Sequence, residues 1–506
     1  MSRRRSGVLL HPTSLFNPFC VGDLGPAAHA WVDWLAEAEV SAWQLLPLSP
    51  PDEGGSPYSS RSAFACDPLL LSLSAFMSDG LLTEGELHDV KQAVQQRGGQ
   101  RSDRAGARAL HTPLIERAVS RWLAREGADA PALQRFCRAQ RAWIEDAALF
   151  ELISARQENR PWWTWPAPLR DRRPDALAKL RATHQNELTR YYVTQLLIQE
   201  QWDALKRHCA TLDISLIGDM PIYVDHNSAD VWSHPSLFDL IEGPQRRGEA
   251  RVVAGVPPDA FSDVGQRWGN PIYRWDRMEA DGYRWWVARL TRALSLTDLV
   301  RIDHFRALSA YWEIPSESPD ARTGRWVEGP GQGFFDVLRA QLGPELPLIA
   351  EDLGLIDEPV RALLRSVELP GMKVLQFAFG DGPENLYLPH NHVANSVVYT
   401  GTHDNETTRG WWEGLDEGTR EDVRAYIPNI EREGAAWGLT RTALASVAEL
   451  AIIPLQDLLN LDNRSRMNQP GSTEGNWSWR LTDEPLSQEL AQSLAQLNRL
   501  YGRGSA

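Results

Sequence analysis

The sequence predicts a closed (β/α)8 barrel of the TIM type, and three observations carry that prediction. Short apolar runs that end in polar or charged residues recur eight times, as strands buried on both faces of a parallel sheet should look. Helix-like stretches separate them, the alternation of a βα repeat. Acids stand at the ends of five of the runs, and barrel enzymes gather their catalytic groups at the carboxyl ends of their strands. A doubly wound sheet is the alternative, but it does not usually put carboxylates at so many strand ends.

The first two runs are Gly7–Pro12 (GVLLHP) and Ala42–Leu48 (AWQLLPL). Residues 51–213 follow, too many for one crossover. From Thr83 to His208 they are rich in Ala, Leu, Gln, Arg and Glu, with helical periodicity over Asn186–His208, so a large, mostly helical insertion on the barrel is expected. The third run is Ile214–Val224. A smaller insertion, 225–296, carries the turn-rich pieces Val256–Phe261 and Gly265–Pro271 and is expected to be a loop-rich wall of the active site. The remaining runs are Leu299–Phe305, Leu346–Leu353, Met372–Phe379, Ser396–Asp404 and Ala451–Leu458. No C-terminal β-domain is expected after the last, so residues 1–506 are read as a single catalytic barrel unit.

Composition removes several functions. A net charge of −15 disfavours nucleic acid, which needs a basic face. No apolar run approaches the ~20 residues of a membrane span. At the start, Gly7–Leu10 is cut off by His11-Pro12-Thr13, which argues against a signal peptide. Four scattered cysteines without C-x-x-C spacing argue against a disulfide framework or zinc and fit a reducing, cytoplasmic setting. No lysine follows a glycine, so a phosphate loop is absent, as are G-x-G-x-x-G and G-x-S-x-G runs. The 21 tryptophans outnumber 13 phenylalanines and 11 tyrosines, a mild pointer to flat sugar faces as well as to a core.

The five acids are Asp219, Asp303, Glu351, Asp404 and Asp457. Clustered carboxylates are what glycosidic cleavage needs: one meets positive charge at the anomeric carbon, one protonated acid helps the leaving oxygen depart. Arg301 and Asp303 are two apart and share a strand face, so the guanidinium should lower the Asp303 pKa and keep it ionised. The same pair fits a structural ion pair at the barrel mouth. Glu351 emerges from the apolar Pro347–Ala350, where desolvation and Asp303 should raise its pKa. Capping of the next helix by Glu351-Asp352 fits equally well. His403 and Asp404 can bond sugar hydroxyls; a metal site drawing on His390 and His392 stays open.

Seven ordered blocks then carry a resemblance. Ser56-Pro-Tyr58, Gly218–Tyr223, Gly265–Pro271, Arg301–Arg306, Ala350–Gly354, Thr400–Asn405 and Arg466–Gly471 with Gly475–Trp479 resemble those of the amylomaltases, glycoside hydrolase family 77. The match runs in order from about Gly7 to Arg480. The resemblance implies a 4-alpha-glucanotransferase working by retaining double displacement, with α-1,4-glucan and maltooligosaccharide substrates, no cofactor and no metal. It implies Asp303 as nucleophile, Glu351 as acid/base and Asp404 as transition-state stabiliser. Tyr58, Asp219, Arg301 and His403 would surround the reacting sugar. Gln266, Trp268, His304, Asp381 and Asn468 would be further substrate contacts, and Phe377 an aromatic wall. Asp457 matches nothing catalytic and is read as structural. One departure is Ala260, beside Phe261, where family members carry an aromatic; it bears on the grip on long glucans and on making large rings. The rivals are an α-amylase-like hydrolase, a debranching transferase, and a non-catalytic glucan-binding protein on a retained barrel.

Overall fold

In the computed structural model, which describes residues 4–52, 54–97, 101–258, 262–472, 474–481 and 486–504, each apolar run overlaps one barrel strand. Twelve strands are described, β1 (Arg5–Leu9), β2 (Ala42–Gln44), β3 (Ser215–Met220), β4 (Val252–Val256), β5 (Gln266–Pro271) and β6 (Leu299–Ile302) among them. The rest are β7 (Ala310–Pro315), β8 (Arg325–Glu328), β9 (Leu348–Ala350), β10 (Gly371–Val374), β11 (Ser396–Tyr399) and β12 (Leu450–Pro454). Eight of them close a barrel in the order β1-β12-β11-β10-β9-β6-β3-β2, every pair parallel. Residues on both faces are buried, as with Val397, Val398 and Tyr399, which is why these strands read as continuous apolar runs. Gly7 lies between Ala42 and Ile452 in register, and a Cβ there would stand 2.4 Å from Ile452 Cδ1, so a larger residue at this close approach would force the Ile452 side chain to shift.

Between β2 and β3 the described chain is mostly helical, including Arg104–Glu126, Ile144–Arg156 and the 27-residue Gln185–Thr211. In the last, Leu188, Gln195, Ile198, Trp202, Leu205 and Cys209 are buried at helical spacing and form one inward face. This helix also holds the segment that carries Tyr58. The Gln195 amide donates to Cys66 O (2.9 Å) and accepts from Cys66 N (3.0 Å). Arg61 adds a bidentate pair with Glu151 (2.8 and 3.1 Å).

The segment 225–296 is more regular than the loop-rich stretch that its turn residues predict. It contains β4, β5 and the helix Arg284–Leu296. β4 and β5 join β7 and β8 in an antiparallel sheet ordered β5-β4-β7-β8. Glycine, proline and asparagine in β5 mimic a turn, and half of the sheet's pairing partners lie beyond β6. Ala260 and Phe261 lie outside the described residues. After β12 no further strand occurs among the described residues.

Candidate active site

Parallel strands present all their carboxyl ends on one rim, and the acids sit there. Asp219 is in β3, Asp303 and Glu351 immediately follow β6 and β9, and Asp404 lies on the loop after β11. Ladder bonds continue one residue past the strands, Asp303 N donating to Met220 O and Glu351 N to Ile302 O, both at 3.0 Å. Backbone pairing thus fixes the roots of both side chains.

Arg301 is the hub of the site. It is opposite Asp219 in register, and its Nη1 donates to both Asp219 oxygens (2.7 and 2.8 Å) while Nη2 lies 2.8 Å from Asp303 Oδ1. Burial opposes its charge, but Asp219 and Asp303 outweigh that and hold the guanidinium well above its ordinary pKa. Tyr58 OH donates to Asp219 Oδ2 (2.7 Å), completing an Asp303–Arg301–Asp219–Tyr58 chain. Burial, then Asp219, pushes the Tyr58 phenol well up, so it stays a donor.

Glu351 accepts one backbone N–H at each oxygen, from His304 (2.6 Å) and Leu353 (2.8 Å). His304 turns its N–H inward through a left-handed backbone (φ 52°). Burial and then the Asp303 charge push the Glu351 carboxyl up to about 8. Asp303 departs from expectation. Arg301 does pull its pKa down, but burial outweighs that pull and raises it to about 6. Asp303 is half-buried while Glu351 is buried, which fits the larger rise at Glu351. Near neutrality the pair therefore carries an ionised Asp303 beside a protonated Glu351.

Asp404 Oδ1 accepts from Asn468 Nδ2 (2.6 Å) and lies 3.3 Å from His403 Nε2. His403 stacks on Tyr58, centroids 5.2 Å apart at 15°, which links the loop after β11 to the Tyr58 segment. Trp477, unassigned from sequence, packs against both rings at 5.7 and 5.9 Å. It holds a left-handed φ of 59°, costly for a bulky residue, and its N–H donates to Met467 O at 2.7 Å. The only signal for it was its place in the late Gly475–Trp479 block.

On the other flank, Trp268 Nε1 donates to Gln266 Oε1 (3.1 Å), and the Trp268 ring meets His304 edge-on at 4.8 Å. These two β5 residues are thus joined to the Glu351 side of the rim. Phe377 and Asp381 form a separate exposed lip. Asn385 donates to Phe377 O (2.8 Å), its amide reaches Asp381 Oδ2 (3.5 Å), and Tyr387 packs edge-on against Phe377. Among the described residues, no hydrogen bond or ring contact ties this lip to the three acids.

Asp457 is buried and saturated, accepting from Thr400 Oγ1 (2.5 Å), Thr408 Oγ1 (2.6 Å) and Thr408 N (2.7 Å). It fastens β12 to the chain around the Asp404 loop. Asp457→Ala strands those three donors and is expected to cost about 3 kcal/mol, read as a lower urea midpoint at unchanged slope. An unchanged midpoint would show that the fastening is dispensable. Among the described residues, no cluster of three His, Cys, Asp or Glu is placed to hold a metal. Both ring nitrogens of His390 and of His392 already have protein partners.

A family model described as 4-alpha-glucanotransferase, glycoside hydrolase family 77, matches residues 10–487. The chain belongs to that family. As a member it is a 4-alpha-glucanotransferase by class, and relatives bearing that name agree along nearly its whole length. The chloroplastic/amyloplastic enzyme of Solanum tuberosum is 44% identical over 99% of this chain and 87% of its own. The Thermus thermophilus enzyme is 44% identical over 96% of both chains. Among solved structures, an amylomaltase from Streptococcus agalactiae in complex with acarbose superposes with a TM-score of 0.94. It is 36% identical over 99% of this chain and 100% of that one. An amylomaltase from Corynebacterium glutamicum, at 18% identity and a TM-score of 0.75, shares the fold.

Proposed function

We propose that this 4-alpha-glucanotransferase moves α-1,4-glucan segments by retaining double displacement at the Asp303–Glu351–Asp404 rim. The observation that carries the reading is the ordered pair: an Asp303 tethered to Arg301 and an adjacent Glu351 whose pKa lies higher. Asp303 Oδ attacks the anomeric carbon, forming a C–O ester bond as the glycosidic C–O bond breaks. The Glu351 proton goes to the departing oxygen, and Asp404 faces the positive charge that develops on the ring. Ester formation removes the Asp303 charge, one of the causes of the raised Glu351 pKa. Glu351 thereby becomes the carboxylate that takes the acceptor's 4-hydroxyl proton in the second half-reaction. The same two groups need no redox or phosphate chemistry.

Tyr58, Asp219, Arg301 and His403 would hold the reacting sugar, with Gln266, Trp268, His304, Phe377, Asp381 and Asn468 along the glucan. Residues 1–506 would act as one catalytic unit, with 51–213 a helical insertion packed on the barrel and 225–296 lining the active site. Four scattered cysteines without C-x-x-C spacing favour a cytoplasmic setting. No helix among the described residues is long and apolar enough to cross a membrane.

Maltotriose alone is expected to yield glucose and longer maltodextrins with little net gain in reducing ends. Reducing ends that rise in step with substrate loss would make the protein a hydrolase. Its kcat/KM is expected to rise as pH climbs through about 6, where Asp303 ionises, and to fall through about 8, where Glu351 loses its proton. The two titrations are coupled, so both limbs belong to the pair. A profile without the alkaline fall would remove Glu351 from the acid role.

A further inference from the structure

Arg466 opens one of the seven blocks yet takes no part in the chemistry above. We propose that Arg466 is a positioning residue for Asp404, acting through the backbone of the loop after β11. Asp404 needs such support: it lies five residues past the end of β11, and its side chain is 42% exposed, so no strand fixes its carboxylate. Arg466 Nη2 donates to Asp404 O at 2.6 Å, and its Nε donates to Asn468 O at 2.7 Å. Asn468 in turn donates from its backbone N–H to His403 O (3.0 Å) and from Nδ2 to Asp404 Oδ1 (2.6 Å). The guanidinium thus holds the main chain of both Asp404 and the residue that grips its carboxylate. A planar fork suits two carbonyls at once, a geometry that one ammonium cannot reproduce.

The same bonds divide the Asp404 carboxylate. Asn468 and His403 both face Oδ1, which leaves Oδ2 for the sugar. When the clamp is lost the carboxylate can swing. A displacement of about 1 Å in a group that acts on the transition state costs on the order of 100-fold in rate, with little effect on ground-state binding. The effect is therefore expected in kcat rather than in KM.

The inference rests on Asp404 as transition-state stabiliser, and a double-mutant cycle separates the two claims. Rates are measured with an α-glucosyl fluoride donor and a maltose acceptor for wild type, Arg466→Ala, Arg466→Lys, Asp404→Asn and the two double variants. Arg466→Ala is expected to lower kcat by about 10- to 100-fold with KM changed less than about threefold. Arg466→Lys, which keeps one donor to Asp404 O, should recover part of the loss. In the Asp404→Asn background either Arg466 change should cost less than about threefold, because the group it positions is gone. If Arg466→Ala does not fold, as read by circular dichroism, the lysine variant completes the cycle. Equal losses in both backgrounds overturn the positioning role alone, as does a rise in KM at unchanged kcat. If Asp404→Asn itself keeps kcat within a few-fold of wild type, the reading of Asp404 falls, and the Arg466 role with it.

Discussion

Asp303→Asn is expected to lose transfer from maltotriose by about 10⁴-fold or more, because an amide cannot form the glycosyl ester on which both half-reactions depend. The fold should survive the change. Arg301 keeps the bonds from Nη1 to both Asp219 oxygens, Asp219 in turn holds Tyr58, and the amide is close in shape to the carboxylate it replaces. A thermal midpoint close to wild type should therefore accompany the loss of rate. The substitution also removes a negative charge beside Glu351. Burial still raises the Glu351 pKa, but the contribution from Asp303 is gone, so Glu351 should titrate lower than in wild type. Difference infrared spectroscopy of the carboxyl band can read that shift. Activity within tenfold of wild type would place the nucleophile elsewhere.

The barrel was legible because its strands are buried on both faces. Val397, Val398 and Tyr399 have no solvent side that would require a polar residue, and the run stands out in the sequence. The sheet of β4, β5, β7 and β8 carried no such signal. β8 has no buried residue and exposes Arg325, Trp326 and Glu328, and β5 contains the turn-like Gly269-Asn270-Pro271. Their pairing joins residues on either side of β6, a non-local fact that no window of sequence contains. The acids could be placed at the rim because strand order alone puts them there. The sign of the Asp303 shift could not, because it depends on how far burial outweighs Arg301, and burial is set by the closed cleft. Asn468 illustrates a second limit. It was expected among the outer contacts, yet Asn468 bonds both His403 O and Asp404 Oδ1 and Trp477 packs on His403, sixty and more residues earlier in the chain.

Glu351→Gln should be severely impaired with natural glucans yet become trapped as a covalent glycosyl-enzyme when given an α-glucosyl fluoride. A sugar leaving group needs the Glu351 proton, whereas fluoride departs with little acid help, so the first displacement on Asp303 proceeds. The second does not, because the acceptor's 4-hydroxyl has lost the base that takes its proton. The ester accumulates, and intact-protein mass spectrometry should show an added glycosyl unit on the peptide that contains Asp303. The amide has a structural cost as well. Each Glu351 oxygen accepts a backbone N–H, from His304 and from Leu353, and glutamine must turn its NH2 toward one of them. A donor facing a buried donor costs about 1–3 kcal/mol, so Glu351→Gln should unfold at lower urea than wild type. Glu351→Ala, which presents no opposing donor, provides the parallel trap, and added azide should release its adduct by attacking without a base. Asp303→Asn should show no adduct under the same conditions. An adduct mapped to any other residue would overturn Asp303 as the nucleophile, and rapid turnover of the fluoride by Glu351→Gln in the presence of maltose would show that another group supplies the base.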